Sequence, residues 1–155
     1  KKFIKNNYFL MLLPDDLIIK KNCSKDMIRI HKKYNGSVMA SMNVKKNNVD
    51  RWGIYSIKKN LDKSNFKIQD VIEKPNTKDA PSNNAVIGRY ILPKKIFYYL
   101  KNQKKGKGGE IHITDAIRRM ILDENLFIGH KFKGNYLDCG SIKGYINSGI
   151  EISKL

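Results

Sequence analysis

Tyr8-Phe9-Leu10-Met11-Leu12-Leu13 is an unbroken apolar run that stops at Pro14 and passes directly into Asp15-Asp16. A run without polar alternation reads as a strand covered on both faces, the kind found in the sheets of α/β proteins. In open sheets of that class ligands collect beyond the carboxyl ends of the strands. Asp15 and Asp16 therefore stand where chemistry is expected. A carboxylate there suits magnesium, which takes one or two protein carboxylates and completes its shell with water and phosphate oxygens. The plainer alternative for the pair is a polar loop or a helix cap.

Reading outward from this run, Ser24 can cap a helix that continues through Met27, Ile28, Ile30 and Tyr34 and stops at Gly36. Ser37–Val44 is strand-like, and Gly53–Ile57 and Phe66–Ile72 resemble half-buried strands joined by a turn at Asn60–Ser64. Lys74–Asn83 is a loop with two prolines, and Asn84–Leu92 is a further strand. Pro93 is expected to open a short helix containing Ile96 to Tyr99, and Lys104–Gly109 to form a Gly/Lys loop. Thr114 and Asp115 start another helix, with Asp115 complementing its dipole. Leu126–Phe132 reads as a strand, and Ser141 caps a final helix past Tyr145 and Ile146. The pattern is that of a mixed α/β chain without internal repeats. The first strand lacks upstream neighbours, so the sheet is expected to be incomplete on that side and the chain to self-associate through it.

At 155 residues the chain is long enough for one domain with a sizeable core. No apolar run approaches the roughly 20 residues of a membrane-spanning helix, and Lys1-Lys2-Phe3-Ile4-Lys5 is not followed by the apolar stretch of a signal peptide. Cys23 and Cys139 form neither a disulfide framework nor a zinc motif, and read as free thiols in a reducing cytoplasm. The net charge of +17 invites a nucleic-acid reading. Against it, the excess is nearly all lysine, accompanied by Asn and Ile, which share A/T-rich codons. The lysines are scattered over several elements, and arginine, the better base reader, is scarce. No nucleic acid and no membrane is expected as a partner.

Three more segments carry chemistry. Glu73-Lys74-Pro75 sets opposite charges where a strand meets a proline-fixed loop. Glu73 can accept from sugar hydroxyls and Lys74 can place a charge on phosphate, although a solvated pair is the common state of such neighbours. Ala80–Tyr90 feeds a polar loop into a strand broken by Gly88, a mark of close backbone approach. Gly134-Asn135-Tyr136-Leu137-Asp138-Cys139-Gly140 sets an aromatic and an acid between glycines ahead of a helix. There Tyr136 can pack a sugar face and Asp138 can be a second metal carboxylate, or the segment can be a turn with a core tyrosine.

Taken in order, LPDD at 13–16, EKP at 73–75, APSNNAVIGRYIL at 80–92, GEIHITDAI at 109–117 and LDCG at 137–140 resemble the sugar-1-phosphate nucleotidylyltransferases. The likeness is greatest to the bacterial UTP–glucose-1-phosphate uridylyltransferase branch. The thymidylyl branch tends to have glycine where Pro14 stands. The resemblance implies a Rossmann-like mixed sheet of the glycosyltransferase-A-like type, transfer of a uridylyl group from UTP to glucose 1-phosphate, Mg2+ as the cofactor, and a homo-oligomer. Residue by residue, it implies that Asp15 and Asp138 hold the metal. Glu73 binds sugar hydroxyls, Lys74 contacts the sugar phosphate, Gly53 closes its backbone over the sugar, and Val86 and Tyr136 wall the pocket. Trp52 stands where a tyrosine is common, and Thr114 and Asp115 match a segment read as mainly structural. The family's GxGxRxxPxTK triphosphate loop and its base-reading strands have no counterpart between Lys1 and Leu155. Residues 1–155 are therefore expected to be the C-terminal, sugar-phosphate- and metal-binding part of a single nucleotidylyltransferase domain, inactive alone. Another sugar-1-phosphate nucleotidylyltransferase, such as a thymidylyl enzyme, and a basic nucleic-acid-binding module are the alternatives.

Overall fold

The computed structural model describes residues 2–105 and 109–155; of the Gly/Lys segment expected over 104–109, residues 106–108 lie outside the described residues. The strands are β1 (Tyr8–Leu12), β2 (Asp16–Ile19), β3 (Ser37–Asn43), β4 (Gly53–Asn60), β5 (Asn65–Glu73), β6 (Asn84–Pro93), β7 (Phe127–Lys131) and β8 (Asn135–Asp138). The helices are α1 (Cys23–Tyr34), α2 (Ile96–Lys101), α3 (Ile113–Leu122) and α4 (Ile142–Ile152), with a 3-10 turn at Lys46–Arg51. Six strands form one mixed sheet in the order β1-β6-β3-β7-β5-β4, and β2 and β8 form a separate antiparallel pair. Strands β3 and β7 run parallel, and the other described pairings are antiparallel. Among the described residues no helix is long and apolar enough to cross a membrane.

The alternation along β3 and β6 explains the layering. Val38, Ala40, Ile87 and Ile91 face α1, where Cys23, Met27 and Ile30 cover them. Met39, Val86, Tyr90 and Leu92 face the opposite side, under Ile96 and Tyr99 of α2 and Ala116, Ile117 and Met120 of α3. The main sheet is thus covered on both faces, as the apolar content of β6 requires.

Several expectations are corrected. The run from Tyr8 is not covered on both faces. In this chain β1 is an edge strand bonded to β6, and Leu10 and Leu12 are 38% and 49% exposed. Helix α1 reaches this strand at Tyr8, whose ring centroid lies 4.5 Å from that of His31. The N-cap of α1 is Asn22, whose side chain accepts from the Lys25 amide, not Ser24; the left-handed residue that ends it is Asn35, not Gly36. Both substitutions follow from chemistry that Asn shares with the expected residue: a short side-chain acceptor and tolerance of positive φ. Pro93 closes β6, opposite Tyr8, and does not open α2. Segment 134–140 is not a turn but contains β8, paired with a strand, β2, that the apolar pattern does not reveal.

His130 of β7 is buried with its Nδ1 2.8 Å from Asn65 Oδ1, while Nε2 has no partner among the described residues. The Asn65 amide nitrogen donates to Asp62, so its oxygen is the acceptor and His130 Nδ1 carries the hydrogen. Burial, opposed by the charges of Asp26 and Asp62, holds this histidine below its ordinary value of 6.5. The unfolded chain therefore takes up this proton before the folded one does, and stability falls as pH drops below about 6.5. Denaturant unfolding at pH 7.5 and 5.5 checks this: His130→Gln is expected to have a smaller stability loss between the two pH values than the wild type, and an equal loss contradicts the assignment.

Candidate functional site

The site forms where β1 leaves the main sheet and the chain turns into β2. Asp16, the first residue of β2, lies opposite Asp138, the last of β8. Its carboxylate accepts from two directions: from the Gly88 amide in β6 and from the Tyr136 hydroxyl in β8. Gly88 permits this approach, because a Cβ on it would lie 2.4 Å from Asp16 Oδ2 and 2.6 Å from Leu13. The turn itself is held by the Leu13 amide donating to the Gly88 carbonyl and by Arg89, whose guanidinium donates to the carbonyls of Leu13 and Gly88. Burial, then the hydrogen bond to Asp16, then the charges of Asp16 and Asp138, push the Tyr136 phenol far above its ordinary value of 10.0, so it remains a donor. Tyr90 is raised in the same way, by burial first and then by the charges of Asp16 and Glu73.

Beside this junction lies a cleft of about 130 Å³. Its wall carries Glu73 and Thr114, its floor Gly53, Val86 and Gly88, and its rim Asp16 and Arg51. Gly53 and Glu73 are register partners of β4 and β5. A Cβ on Gly53 would lie 3.1 Å from both Glu73 Oε2 and Val86 Cγ2, so the glycine lets the β4 backbone come close to the carboxylate without crowding it. Thr114, 5% exposed at the start of α3, donates to Glu73 Oε2 at 2.7 Å. That bond fixes the carboxylate and leaves Oε1 without a hydrogen bond among the described residues.

Asp15 and Asp138 converge over Gly140, whose Cβ position lies 3.0 Å from Asp15 Oδ2 and 3.3 Å from Asp138 Oδ1. The Cys139 amide donates to the Asp15 carbonyl at 2.8 Å, which holds the chain beside β8 one residue before β2 begins. Asp138 Oδ1 accepts from the Gly140 amide at 3.0 Å, and Asp138 Oδ2 accepts from Arg51 Nη2 at 3.1 Å. The Asp15 side chain is exposed and without a hydrogen bond among the described residues. Among those residues no group of three or more His, Cys, Asp or Glu is placed to hold a metal. The chain offers an oxygen-only pair, which suits a hard cation that keeps part of its water shell.

Of the residues singled out from the sequence, Gly53, Glu73 and Val86 meet in the cleft, and Asp15 and Asp138 meet over Gly140, outside the cleft lining but next to Asp16, which belongs to it. Tyr136 stands behind Asp16, and Lys74 follows Glu73 with left-handed backbone at φ 43° and its amide donating to the Trp52 carbonyl at 3.1 Å. Neither side chain lines the cleft. Three contributors escaped the sequence reading. Asp16 figured only as half of a pair, Thr114 only as a structural residue, and Arg51 not at all. A four-residue β2 gives no periodicity from which the contacts of Asp16 could be read, and Arg51 precedes its partner by 87 positions.

The nucleotidyl transferase family model matches residues 1–154. The chain is 37% identical over 142 residues to the UTP–glucose-1-phosphate uridylyltransferase of Komagataeibacter xylinus, covering 91% of this chain and 49% of that protein. It is also 37% identical over 145 residues to the enzyme of that name from Pseudomonas aeruginosa, covering 90% of this chain and 50% of that protein. A crystal structure of UDP-glucose pyrophosphorylase complexed with UDP-glucose superposes with a TM-score of 0.91 at 40% identity, covering 99% of this chain and 58% of the other. The chain spans about half the length of the curated relatives it matches.

The Asp16 junction has a measurable weight. A hydrogen bond to a charged group contributes about 1.5–3 kcal/mol. Asp16→Ala removes two and leaves a buried amide unpaired, so a loss of about 3 kcal/mol or more is expected in urea unfolding. Tyr136→Phe removes one and is expected to cost about half as much. Equal midpoints for both variants and the wild type would contradict the junction.

Proposed function

The chain belongs to the nucleotidyl transferase family, and from that membership we propose that the protein transfers a uridylyl group from UTP to glucose 1-phosphate, releasing UDP-glucose and pyrophosphate. The observation that carries this reading is a small polar cleft, built on Glu73 and Gly53, joined through Asp16 to the carboxylate pair Asp15 and Asp138. A sugar needs the first, and the second would hold a hard cation that neutralises phosphate charge. The named relatives, uridylyltransferases acting on glucose 1-phosphate, support the choice of substrates.

In this reading Glu73, oriented by Thr114, accepts from sugar hydroxyls, and the missing side chain of Gly53 lets the sugar approach the backbone. Val86 supplies an apolar wall. Tyr136 acts on the pocket through Asp16, whose position it fixes. Lys74 carries a positive charge next to Glu73 and suits the sugar phosphate. Asp15 and Asp138 would hold Mg2+, which when bound neutralises charge on phosphate oxygens. The chain's own residues then align the attacking phosphate oxygen and keep it close, and positioning of this kind supplies most of the catalysis in such transfers. Residues 1–155 form the sugar-phosphate- and metal-binding part of the domain. The basic surface needs no nucleic-acid partner in this account.

Two outcomes are expected in catalytically active protein carrying these residues. Asp138→Asn preserves volume and a hydrogen-bond acceptor but removes charge. It should lower kcat by at least about tenfold and raise the Mg2+ requirement, with little change in thermal stability. Equal rates across a magnesium series would leave Asp138 as only a structural residue. Thr114→Val should raise KM for glucose 1-phosphate by about tenfold, the weight of one hydrogen bond to a carboxylate, while KM for UTP stays constant. A change in both constants would contradict a role confined to Glu73.

A further inference from the structure

Arg51 takes no part in the chemistry assigned to the site, yet it stands between the site's two halves. It lines the cleft, and its Nη2 lies 3.1 Å from Asp138 Oδ2. Its guanidinium also lies over the Trp52 ring, 4.7 Å from the centroid. The side chain is 57% exposed, so little packing prevents it from moving.

The two oxygens of Asp138 are occupied in different ways. Oδ1 holds the Gly140 amide, which belongs to the backbone of the same turn and moves with it. Oδ2 holds a guanidinium on a long, flexible stem. A divalent cation shared with Asp15 needs a lone pair on Asp138 and repels a guanidinium at contact distance. Asp138 Oδ1 is the oxygen that meets Asp15 over Gly140, so a cation there and the guanidinium on Oδ2 of the same carboxylate oppose one another by charge repulsion. Trp52 offers the displaced guanidinium a place to stay, since a cation is attracted to the ring face without needing the carboxylate.

We infer that Arg51 is a counter-ion latch: it neutralises Asp138 while no divalent cation is bound, and gives up Oδ2 when one binds. The inference rests on the proposal that Asp15 and Asp138 hold the cation. A released Arg51 remains on the cleft rim, where an anionic phosphate is its natural next partner. The latch thus couples cation binding to the appearance of a positive charge beside the cleft. Arg51 is a positioning residue in this scheme, since it acts through Asp138.

Two probes follow. Binding of Mn2+ alone is measured from the paramagnetic resonance of the free ion. Trp52, the single tryptophan of the chain, reports by its fluorescence during titration with diamagnetic Mg2+. Arg51→Gln removes the competitor and is expected to bind Mn2+ about threefold to tenfold more tightly, the range for losing an exposed ion pair together with a like charge. The wild type should change its Trp52 emission as Mg2+ saturates, and Arg51→Gln should not. Asp138→Asn should weaken Mn2+ binding. If Asp138→Asn loses Mn2+ while Arg51→Gln binds it no better than the wild type, the latch is overturned and the metal reading stands. If Asp138→Asn binds Mn2+ as the wild type does, the metal reading fails and takes the latch with it.

Discussion

The carboxylate of Asp16 is the junction on which the site's geometry depends. It accepts from the Gly88 amide in the six-stranded sheet and from the Tyr136 hydroxyl in the two-stranded one. These bonds tie β2 and β8 to β6 at the point where β1 stops. Asp15 precedes Asp16 in the chain, and Asp138 is its register partner. The same residue that joins the two sheets therefore sets the spacing of the carboxylate pair. It also lines the cleft, so the cleft and the carboxylate pair share one anchor.

The two sheets are stabilised unequally. Strands β3, β6 and β7 contribute residues with no exposed surface to cores on both sheet faces, whereas the short strands β2 and β8 contribute none to the fully buried set. Behind β8, helix α4 presents much apolar surface to solvent, with Ile142 83% and Tyr145 69% exposed. The small sheet therefore relies on hydrogen bonds more than on burial. Regions with few buried apolar contacts open at lower free energy than the core. By this measure the pair of β2 and β8 opens more readily than the strands of the main sheet that carry Glu73 and Gly53.

Much of the main sheet was legible in the sequence because its strands are long enough to show their pattern. Strands β3 to β7 and helices α3 and α4 lie where alternation, turn residues and caps put them, and the Ser141 cap donates no surprise: its hydroxyl accepts from the Gly144 amide. Gly53, Glu73 and Val86 line one cleft because β4 pairs with both β5 and β6. What stayed hidden has physical reasons. The polar edges of β2 and β8 conceal two four-residue strands, and the run from Tyr8 looks fully covered although Leu10 and Leu12 face solvent in this chain. Pairwise contacts such as Thr114 with Glu73 and Arg51 with Asp138 arise only from the fold, across 41 and 87 positions. Composition and periodicity carry no record of them.

The central claim is that one site holds the sugar against Glu73 and Gly53 and a divalent cation against Asp15 and Asp138. The most direct test is a crystal structure of the protein soaked with UDP-glucose and Mn2+, with anomalous scattering used to locate the manganese. The account predicts a manganese peak in contact with both Asp15 and Asp138, and glucose hydroxyls within hydrogen-bond distance of Glu73. Manganese bound away from this pair, or glucose lying outside the cleft lined by Gly53 and Val86, would contradict it.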